Sequence, residues 1–417
     1  MKRLKSTLLL LLISGLVSWL SEATIATSIS KETTEEDLVS NPNPLSVPTL
    51  PEEVQLEQNP VITLEQAVQV AYQNNQALQV ALLTLEQSEA AVQEARAALF
   101  PTVSTEANLI NIQDSGSRTT ADATVKIEYD ILTSGSRRAS IRVAELEREA
   151  SALAVETQQE QIRLDTATAY YALQEAGENV RINQSFLTEA ERNLRDSRLR
   201  QEVGVGTRFD TLRAEVQFAN ARQSLISSQA EVSIARRDIA RLLNLPLRNG
   251  LTATPVAIAG TWSLALEESI ILAFQNRAEL AQQLIDVDIA EQQRRIALAG
   301  TRPQVSLFAD YEISEVLEGA TVLEDDFNDD FLIGIRFGMT LFDGGATRAS
   351  ARQREIAGAV REEQFSETLD QVRFEVEQAY FNLQSNQENI ETSQVAVTQA
   401  ADALALANLR LQAGVGT

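Results

Sequence analysis

Cysteine and histidine are both absent from the 417 residues of the sequence. The lack of cysteine excludes disulfides, thiolate metal sites, cysteine nucleophiles and an N-terminal lipid-modified cysteine. The lack of histidine removes the commonest general base and the commonest zinc ligand. Lysine is scarce as well, which leaves few candidates for an amine nucleophile. The composition therefore predicts a protein that is not an enzyme and that binds no cofactor or metal.

Basic residues are also in short supply. Lys and Arg together number 35 against 59 Asp and Glu, which gives a formal net charge of -24. Nucleic-acid binding needs a basic surface that neutralises phosphates. The charge balance therefore excludes a nucleic-acid partner.

Proline and glycine are nearly missing from the middle of the chain. No proline lies between Pro101 and Pro246, and Gly177 is the only glycine from Ser136 to Val203. The stretch is rich in Ala, Glu, Gln, Arg and Leu, which predicts one continuous helix. At ~1.5 Å per residue such a helix is on the order of 100 Å long. A helix of this length cannot surround a globular core, so it needs neighbouring helices.

The apolar residues of this helix follow a heptad repeat, which predicts coiled-coil packing. Asn183 is the one polar member of the seam, and a second seam occurs later in the chain. The first seam consists of Leu173, Ala176, Val180, Leu187, Ala190 and Leu194, and the second of Leu383, Ile390, Val397, Leu404 and Leu411 with Ala400 and Ala407.

The amino-terminal residues have the layout of a secretory signal peptide. Three basic residues precede an apolar run from Leu8 to Leu20, and cleavage is expected after Ala23. The alternative is an uncleaved anchor, but the run is short for a membrane span, and no other run approaches the ~18 apolar residues that a span needs. We expect an exported protein with a signal peptide at 1–23 and a disordered, acidic, proline-rich lead-in at 24–60.

Four segments alternate between apolar and polar residues, as strands with one apolar face do. They form two pairs, one before each heptad seam: Val103–Leu109 with Ala121–Asp130, and Val305–Ile313 with Phe331–Leu341. The opposite faces carry charged residues that include Asp122, Lys126, Glu128 and Arg336.

The whole order of segments occurs twice. Ala71-Tyr72-Gln73-Asn74 returns as Ala273-Phe274-Gln275-Asn276 at an offset of 202 residues, and Ala169-Tyr170-Tyr171 returns as Ala379-Tyr380-Phe381 at an offset of 210. Matches of this quality at a nearly constant spacing indicate an internal duplication. We therefore expect a first repeat at 61–246, a linker at 247–262 and a second repeat at 263–417.

Four strands with an apolar face are typical of outer-membrane β-barrels, although a soluble sheet lying on the helices is the alternative. Four strands cannot close a barrel, because the smallest single-chain barrels have about eight. In lipid, an open edge leaves unpaired backbone amides. We therefore expect three copies to pool twelve strands, with the charged faces lining a wet lumen and the helices forming a second barrel on one side.

In the order of these segments, the chain resembles the outer-membrane efflux protein (TolC) family. The resemblance covers residues 62 to 417 and rests on the duplicated order of segments together with three motifs. These motifs are Phe100-Pro101-x-Val103-Ser104 at the start of the first strand, Phe342-Asp343-Gly344-Gly345 after the fourth strand, and the Gly-x-Gly-Thr turns. It implies an α+β membrane protein built from a duplicated helix-strand-strand-long helix-helix unit. Three copies would form a 12-stranded outer-membrane β-barrel continued by a long periplasmic α-helical barrel.

The function that the resemblance implies is an outer-membrane channel, the passive exit duct of a tripartite efflux pump or type I secretion system. Its implied partners are two further copies, outer-membrane lipid, a periplasmic adaptor (membrane fusion) protein and an inner-membrane pump. The runner-up is a trimeric coiled-coil surface adhesin or structural envelope protein with a β-barrel anchor. A periplasmic adaptor is a third possibility, but the β-rich segments that should flank its hairpin are missing.

Site residues are carried over from the family one position at a time. Asp210 matches an acidic position near the periplasmic entrance of members that are gated by charge pairs, and Arg208 is its candidate partner. The alternative for Asp210 is ordinary stabilisation of a helix N-terminus. The implied adaptor-contact turns are Gly204, Val205, Gly206 and Thr207 in the first repeat and Gly414, Val415, Gly416 and Thr417 in the second.

Two further expectations concern the second repeat. The sequence stops at Thr417, whereas the first repeat continues from the matching Thr207 into a return helix. We expect that the complete protein has a second return helix, with the acidic residues that the family places at the pore constriction. The acidic segment Glu324–Asp330 could bind calcium, although a solvated exterior loop suits its spacing better.

Overall fold

The computed structural model describes residues 61–113, 117–245, 252–254, 261–318 and 327–412. The predicted signal peptide, the lead-in and the second turn at 414–417 lie outside these residues. Most of the predicted linker and the first part of the acidic segment also lie outside them.

The first half of the described chain places a strand hairpin between two short helices and two long ones. In chain order its elements are β1 (Val61–Ile62), α1 (Leu64–Asn74), α2 (Gln76–Ala97), β2 (Thr102–Gln113), β3 (Ser117–Leu132), α3 (Ser136–Glu202) and α4 (Arg208–Leu242). Helix α3 has 67 residues, which confirms the uninterrupted helix predicted from the lack of proline and glycine.

The second half repeats this order as far as its long helix. Its elements are β4 (Thr252–Ala253), α5 (Leu266–Asn276), α6 (Ala278–Leu298), a 3-10 turn (Ala299–Thr301), β5 (Gln304–Glu318), β6 (Phe327–Gly338) and α7 (Ala346–Gln412). Helix α7 also has 67 residues. The described residues therefore contain the expected mixture of long helices and one four-stranded sheet. None of the helices within the described ranges combines the length and the apolarity that a membrane span requires.

Local side-chain hydrogen bonds fix where the short helices begin and meet. Thr63 and Gln66 form a reciprocal capping box at the start of α1. Asn75 caps α2 through its side-chain oxygen and donates its side-chain N–H to the Leu242 carbonyl at the end of α4, at 3.0 Å. Asn244 donates in turn to the Asn74 carbonyl at 3.1 Å. These bonds join the C-terminal end of α4 to the junction between α1 and α2.

The main core lies where α1 and α4 pack on the middle of α3. Tyr170 is fully buried there, in a cluster with Ala67, Ala71, Leu173 and Ile239. The short strand β1 pairs in parallel with β4 beside this cluster. A buried tyrosine ring is favourable only if its hydroxyl is hydrogen-bonded. The Tyr170 hydroxyl meets this requirement through the backbone of Ile62 and Thr254.

All four long strands belong to one antiparallel sheet with the order β2-β3-β5-β6. The two hairpins have the same register: Thr102 faces Glu128 in the first, and the equivalent Gln304 faces Gly338 in the second. The last pairs are Gln113 with Ser117 and Glu315 with Phe327, which leave three and eleven intervening residues. The eight extra residues of the second repeat therefore fall in sequence between Glu315 and Phe327.

The fourth strand ends earlier than predicted, and it also begins earlier, at Phe327 rather than Phe331. Alternation in the sequence extended it to Leu341, whereas β6 ends at Gly338 and Met339 is not in the strand. The cause is the neighbouring strand, which begins at Gln304 directly after Pro303. Proline has no backbone N–H to donate, so the ladder stops there.

The first heptad seam packs as predicted. Leu173, Ala176 and Leu194 are buried on α3, and α3 and α4 run against each other. In the second seam, Leu383, Ile390, Val397 and Leu404 remain 37 to 69% exposed in the described part of the chain.

Candidate functional sites

The polar face of the sheet contains a linked group of charges. The Lys126 ammonium lies 3.0 Å from one oxygen of Glu128, and the Arg336 guanidinium lies 3.3 Å from the other. Glu128 therefore bridges both cations of the group. Nearby, the Asn108 amide donates to Asp122 at 2.9 Å. Three of the four residues singled out from the sequence as a charged face are brought together, and the fourth is held by a neighbouring amide.

Phe308 is a large apolar residue on this polar face, and its ring explains a glycine. A Cβ atom added at Gly334 would lie 2.7 Å from the edge of the Phe308 ring. The Arg336 guanidinium carbon lies 4.8 Å from the centroid of the same ring, within the range of a cation–π interaction. The ring thus covers the glycine and holds the arginine beside Glu128.

The opposite face of the sheet is apolar across all four strands. In one row the ladder places Val103, Ile127, Ala309 and Ile333 side by side. On the outermost strand Ile333, Ile335 and Phe337 are 63, 69 and 67% exposed. A soluble protein rarely leaves a continuous apolar surface of this kind uncovered. In the described residues no helix lies over it.

The turn between α3 and α4 is tightly closed by backbone hydrogen bonds. The N–H groups of Val205 and Gly206 both donate to the Arg200 carbonyl at 2.9 Å. Gly204 has φ +80, the left-handed conformation that commonly ends a helix. At Gly206 an added Cβ would lie 2.9 Å from the Arg200 Cβ and 3.1 Å from its carbonyl carbon. Both glycines of the predicted turn therefore have a backbone reason.

Exposed apolar side chains surround this turn. Val203, Val205 and Phe209 are 71, 77 and 71% exposed. They cluster within seven residues of sequence at one end of the α3–α4 hairpin. A group of large apolar side chains exposed together is typical of a protein-binding surface.

Asp210 acts locally as part of the cap of α4. Its carboxylate accepts hydrogen bonds from the Thr207 N–H at 3.2 Å and from the Thr207 hydroxyl at 2.6 Å, while the Thr207 oxygen accepts from the Asp210 N–H at 3.1 Å. Within the described residues no ion pair joins Arg208 to Asp210. The geometry favours helix capping, and a gating role for the pair stays a prediction.

Substitution of Gly206 by alanine should destabilise the turn, because the new methyl group meets the Arg200 backbone. Overpacking of this kind typically costs about 1 to 3 kcal/mol. Gly177→Ala is the matched control: it lies within α3, has open space at its Cβ, and should stabilise the helix by about 1 kcal/mol. Thermal unfolding of detergent-purified protein, followed by circular dichroism, would test both. Equal effects of the two substitutions would contradict this explanation of Gly206.

The capping carboxylate should make the stability of the hairpin depend on pH. Hydrogen bonds from Thr207 lower the pKa of Asp210 below its ordinary value of 3.8. Because the folded-state pKa is the lower one, the stabilisation is present above the unfolded-state pKa and is lost as the pH falls through the folded-state pKa. We expect Asp210→Asn to lower the melting temperature at neutral pH and to converge with the parent protein in acid. Glu202→Gln, on the other side of the turn, removes the same charge outside the capping box and is the charge-matched control; it should lower the melting temperature at neutral pH less than Asp210→Asn does.

A comparison with protein families decides which group this architecture represents. The family described as outer membrane efflux protein matches residues 67–245 and 270–417, well over half of the chain. The chain belongs to the outer membrane efflux protein family. This assignment confirms the family inferred from the order of the motifs, together with the outer-membrane location.

The named proteins to which this chain is similar include one curated relative and several solved structures. The alkaline protease secretion protein AprF of Pseudomonas aeruginosa is 28% identical over 190 residues, which cover 41% of this chain and 37% of that protein. The chain thus matches well under half the length of this relative. The outer membrane protein VceC of Vibrio cholerae has a TM-score of 0.70 at 22% identity over 85% of this chain and 87% of that one. The CmeC outer membrane channel of Campylobacter jejuni has a TM-score of 0.71 at 16% identity over 90 and 86%. At these identities the structural likeness establishes the fold of this efflux-family chain.

Sequence reasoning missed two parts of these sites. Phe308 lies on β5, whereas Gly334 and Arg336 lie on β6, so their contact joins two strands. Alternation alone places Phe308 on the polar face but does not explain why an aromatic residue occurs there. The exposed cluster at Val203, Val205 and Phe209 was not recognised either. A search for large apolar residues next to the predicted Gly-x-Gly turn would have found it.

Proposed function

We propose that this chain is a subunit of an outer-membrane exit duct, a passive conduit formed by three copies. Each copy contributes four strands to a 12-stranded barrel in the outer membrane. The long helices continue this barrel into the periplasm. The duct serves a tripartite efflux pump or a type I secretion system, and the energy comes from an inner-membrane partner.

The observation that carries the proposal is the sheet with one continuous apolar face and two open edges. Its β2 and β6 edges have no strand partner among the described residues. In lipid each unpaired backbone group costs several kcal/mol, and charged groups such as Glu128 and Arg336 cannot face hydrocarbon cheaply. Both requirements are met when copies share a closed barrel with the apolar face outward and the charged face toward a water-filled lumen.

The α3–α4 turn is the proposed docking site for the periplasmic adaptor. Supporting this role are the rigid backbone from Gly204 to Thr207 and the exposed side chains of Val205 and Phe209. The matching turn at 414–417 completes the proposed contact in the second repeat. Arg208 and Asp210 are proposed to contribute to gating, in which adaptor binding shifts a closed-to-open equilibrium through different contacts with the two states.

The names of the family and of one relative point to two kinds of transport, efflux and protein secretion. One relative is named for the secretion of a protease, and several structural neighbours are described as outer membrane channels. Selectivity in this arrangement belongs to the inner-membrane pump. Deletion of the gene, followed by drug-sensitivity assays and by analysis of the secreted proteins, separates efflux from protein secretion.

Conductance of the purified protein in a planar bilayer, together with chemical crosslinking to a trimer, tests the duct directly. We expect discrete conductance steps and a crosslinked trimer. Protease treatment of intact cells provides a second test, because the duct keeps α3 and α4 in the periplasm, whereas an adhesin exposes them at the cell surface. A protein that stays monomeric and soluble without detergent, or helices that are cleaved on intact cells, would refute the proposal.

A further inference from the structure

Each of the two longest helices begins with the same pair of arginines. The segment Arg-Ala-Ser-x-Arg occurs at Arg138 to Arg142 near the start of α3, and it returns at Arg348 to Arg352 near the start of α7, at the 210-residue offset of the duplication. In both helices the first arginine of the segment is the third helical residue. The chain as a whole has a formal net charge of -24, so a basic motif at the same place in both repeats needs an explanation.

The two arginines of the motif differ in their partners. The second arginine of each motif has a carboxylate partner three residues later in its own helix. The distances are 3.8 Å for Arg142 with Glu145 and 2.9 Å for Arg352 with Glu355. The first arginines, Arg138 and Arg348, form no ion pair and no side-chain hydrogen bond with the residues that the structure describes. Both of these unpaired side chains are exposed.

The helices themselves do not benefit from the unpaired arginines. The first turn of a helix favours carboxylates, because its free N–H groups create a positive potential. Neither α3 nor α7 has an acidic residue in its first turn. Asp343, the acidic residue that precedes α7, accepts a hydrogen bond from the Thr347 N–H at 2.7 Å and so caps the helix. Arg138 and Arg348 oppose the helix dipole, and their benefit therefore lies outside the helix.

Both motifs lie where the sheet meets the helices. The Ser134 hydroxyl, just before α3, donates a hydrogen bond to the Pro303 carbonyl. A Cβ atom added at Gly300 would lie 3.3 Å from the Thr347 hydroxyl oxygen, at the start of α7. The starts of both helices therefore contact the same short segment before β5. This segment carries a third arginine, whose side chain is also without an ion pair in the described ranges. The basic collar is defined as Arg138, Arg302 and Arg348.

A neighbouring arginine shows that a cation reaches the apolar side of the sheet here. The Arg137 guanidinium carbon lies 5.5 Å from the centroid of the Tyr129 ring. Tyr129 shares a row with Leu307 and Ile335 on the apolar face. Arginine and tyrosine both have an apolar stem and a polar tip, which suits the boundary between hydrocarbon and lipid headgroups. This margin of the apolar face is therefore built like a membrane interface.

The other margin of the apolar face has the opposite charge. Glu315 and Asp329 lie on that face, toward the strand ends that are remote from α3 and α7. The attraction of anions is therefore confined to the margin beside the helices. Large apolar side chains are exposed at the same margin: Phe100, just before β2, is 69% exposed, and Phe342, between β6 and α7, is 87% exposed. Aromatic girdles of this kind mark the interfaces of outer-membrane barrels.

We propose that the basic collar binds the phosphate groups of anionic phospholipids in the periplasmic leaflet of the outer membrane. The inference rests on the proposed duct, in which the apolar face of the sheet contacts lipid, and it adds a polar contact at the margin of that face. A guanidinium binds two phosphate oxygens through parallel N–H···O bonds. Arginines next to a membrane surface attract anionic lipids in addition. The occupant of the collar is thus the membrane surface itself.

The lipid retained by the purified trimer tests this contact. Trimers in a neutral detergent are mixed with dioleoyl phosphatidylglycerol or with dioleoyl phosphatidylcholine, and the bound lipid is counted by native mass spectrometry. We expect the parent protein to prefer the anionic lipid. Arg138→Gln with Arg348→Gln removes two cations that have no partner in the described part of the chain. One arginine at a membrane surface changes the attraction roughly fivefold, so the preference should fall by about that factor or more.

The matched control removes two arginines that lie farther along the helices. Arg222→Gln with Arg361→Gln changes the net charge equally, and both side chains are exposed. Arg361 lies 13 positions beyond Arg348 on the same helix, a distance of about 20 Å. The control should keep the lipid preference of the parent protein. The single variants Arg138→Gln and Arg348→Gln, each with a smaller effect, keep the test informative if the double variant assembles poorly.

The possible outcomes separate the collar from the duct. A trimer that conducts but retains both lipids equally would overturn the collar and leave the duct standing. Equal loss of the preference in the control variant would also overturn the collar, because net charge alone would then explain the attraction. Displacement of the anionic lipid by inorganic phosphate alone would overturn the contact with the membrane in favour of a free anion. A protein that neither forms trimers nor conducts would overturn the proposed duct.

Discussion

Replacing Ile333 by arginine should remove most of the protein from the outer membrane. Ile333 lies on the apolar face of β6 and is 63% exposed in the single chain. If that face contacts lipid, an arginine near the middle of the bilayer costs about 2 to 4 kcal/mol, and each copy of a trimer bears this cost. The measurement is the amount of trimer in purified outer membranes, compared with the parent protein.

The adjacent residue provides a matched control. Leu332 is 57% exposed and belongs to the same strand, but it faces Asp310 across the ladder, on the charged side. A lumen-facing arginine stays in water beside a carboxylate, so we expect Leu332→Arg to assemble almost normally. A soluble sheet would tolerate both substitutions on its exposed faces. Equal loss, or equal tolerance, of the two variants would therefore contradict the membrane-embedded arrangement.

The faces of the strands could be predicted from the sequence because the period of a strand is two. The alternation from Ala121 to Asp130 fixes which residues share a face, whatever strand lies next to them. The order of strands and their register could not be predicted in the same way. The pairing of Val125 with Tyr311 joins residues far apart in sequence, and it depends on where the helices deliver the two hairpins.

The end of the fourth strand shows the same limit. Met339 and Leu341 continue the apolar alternation, but the ladder is cut by Pro303 on the neighbouring strand. The sequence contains both facts, yet they become related only when β5 and β6 are known to pair in that register. The alternation of apolar residues predicts where a strand can form, whereas the neighbouring strand determines where the hydrogen-bonded ladder ends.

At the helical turn the sequence predicted the backbone and left the role of a side chain open. Two glycines and a threonine indicate a tight turn followed by a helix start. Asp210 suits a charge-pair gate and a helix cap equally well on the sequence, because both use an exposed carboxylate in the first helical turn. Distances decide the local question, since both hydrogen bonds to the carboxylate come from Thr207.

The repeated Ala-Tyr motif makes the strongest case that context decides burial. Tyr170 and Tyr380 occupy equivalent positions, and each makes an edge-to-face contact with the next aromatic ring. Only Tyr170 is fully buried in the described chain. Its hydroxyl lies 3.0 Å from the Ile62 carbonyl oxygen and accepts a hydrogen bond from the Thr254 N–H at 3.0 Å. These two residues are 108 and 84 positions away, beyond the reach of any local pattern.

Tyr170→Ala should therefore be among the most destabilising single changes in the helical part. It leaves a large cavity between α1, α3 and α4, and substitutions of this kind cost about 3 to 5 kcal/mol. Tyr170→Phe keeps the ring and loses only the bonds to Ile62 and Thr254, for about 1 to 3 kcal/mol. Tyr171→Ala, at a neighbouring ring that is 42% exposed, should cost less than either.

Denaturant titration of detergent-solubilised protein, followed by the helical circular dichroism signal, gives the order of the three variants. If Tyr170→Phe is as harmful as Tyr170→Ala, the hydroxyl rather than the ring holds β1 and β4 against α3; if Tyr171→Ala exceeds both, the core is not centred on Tyr170.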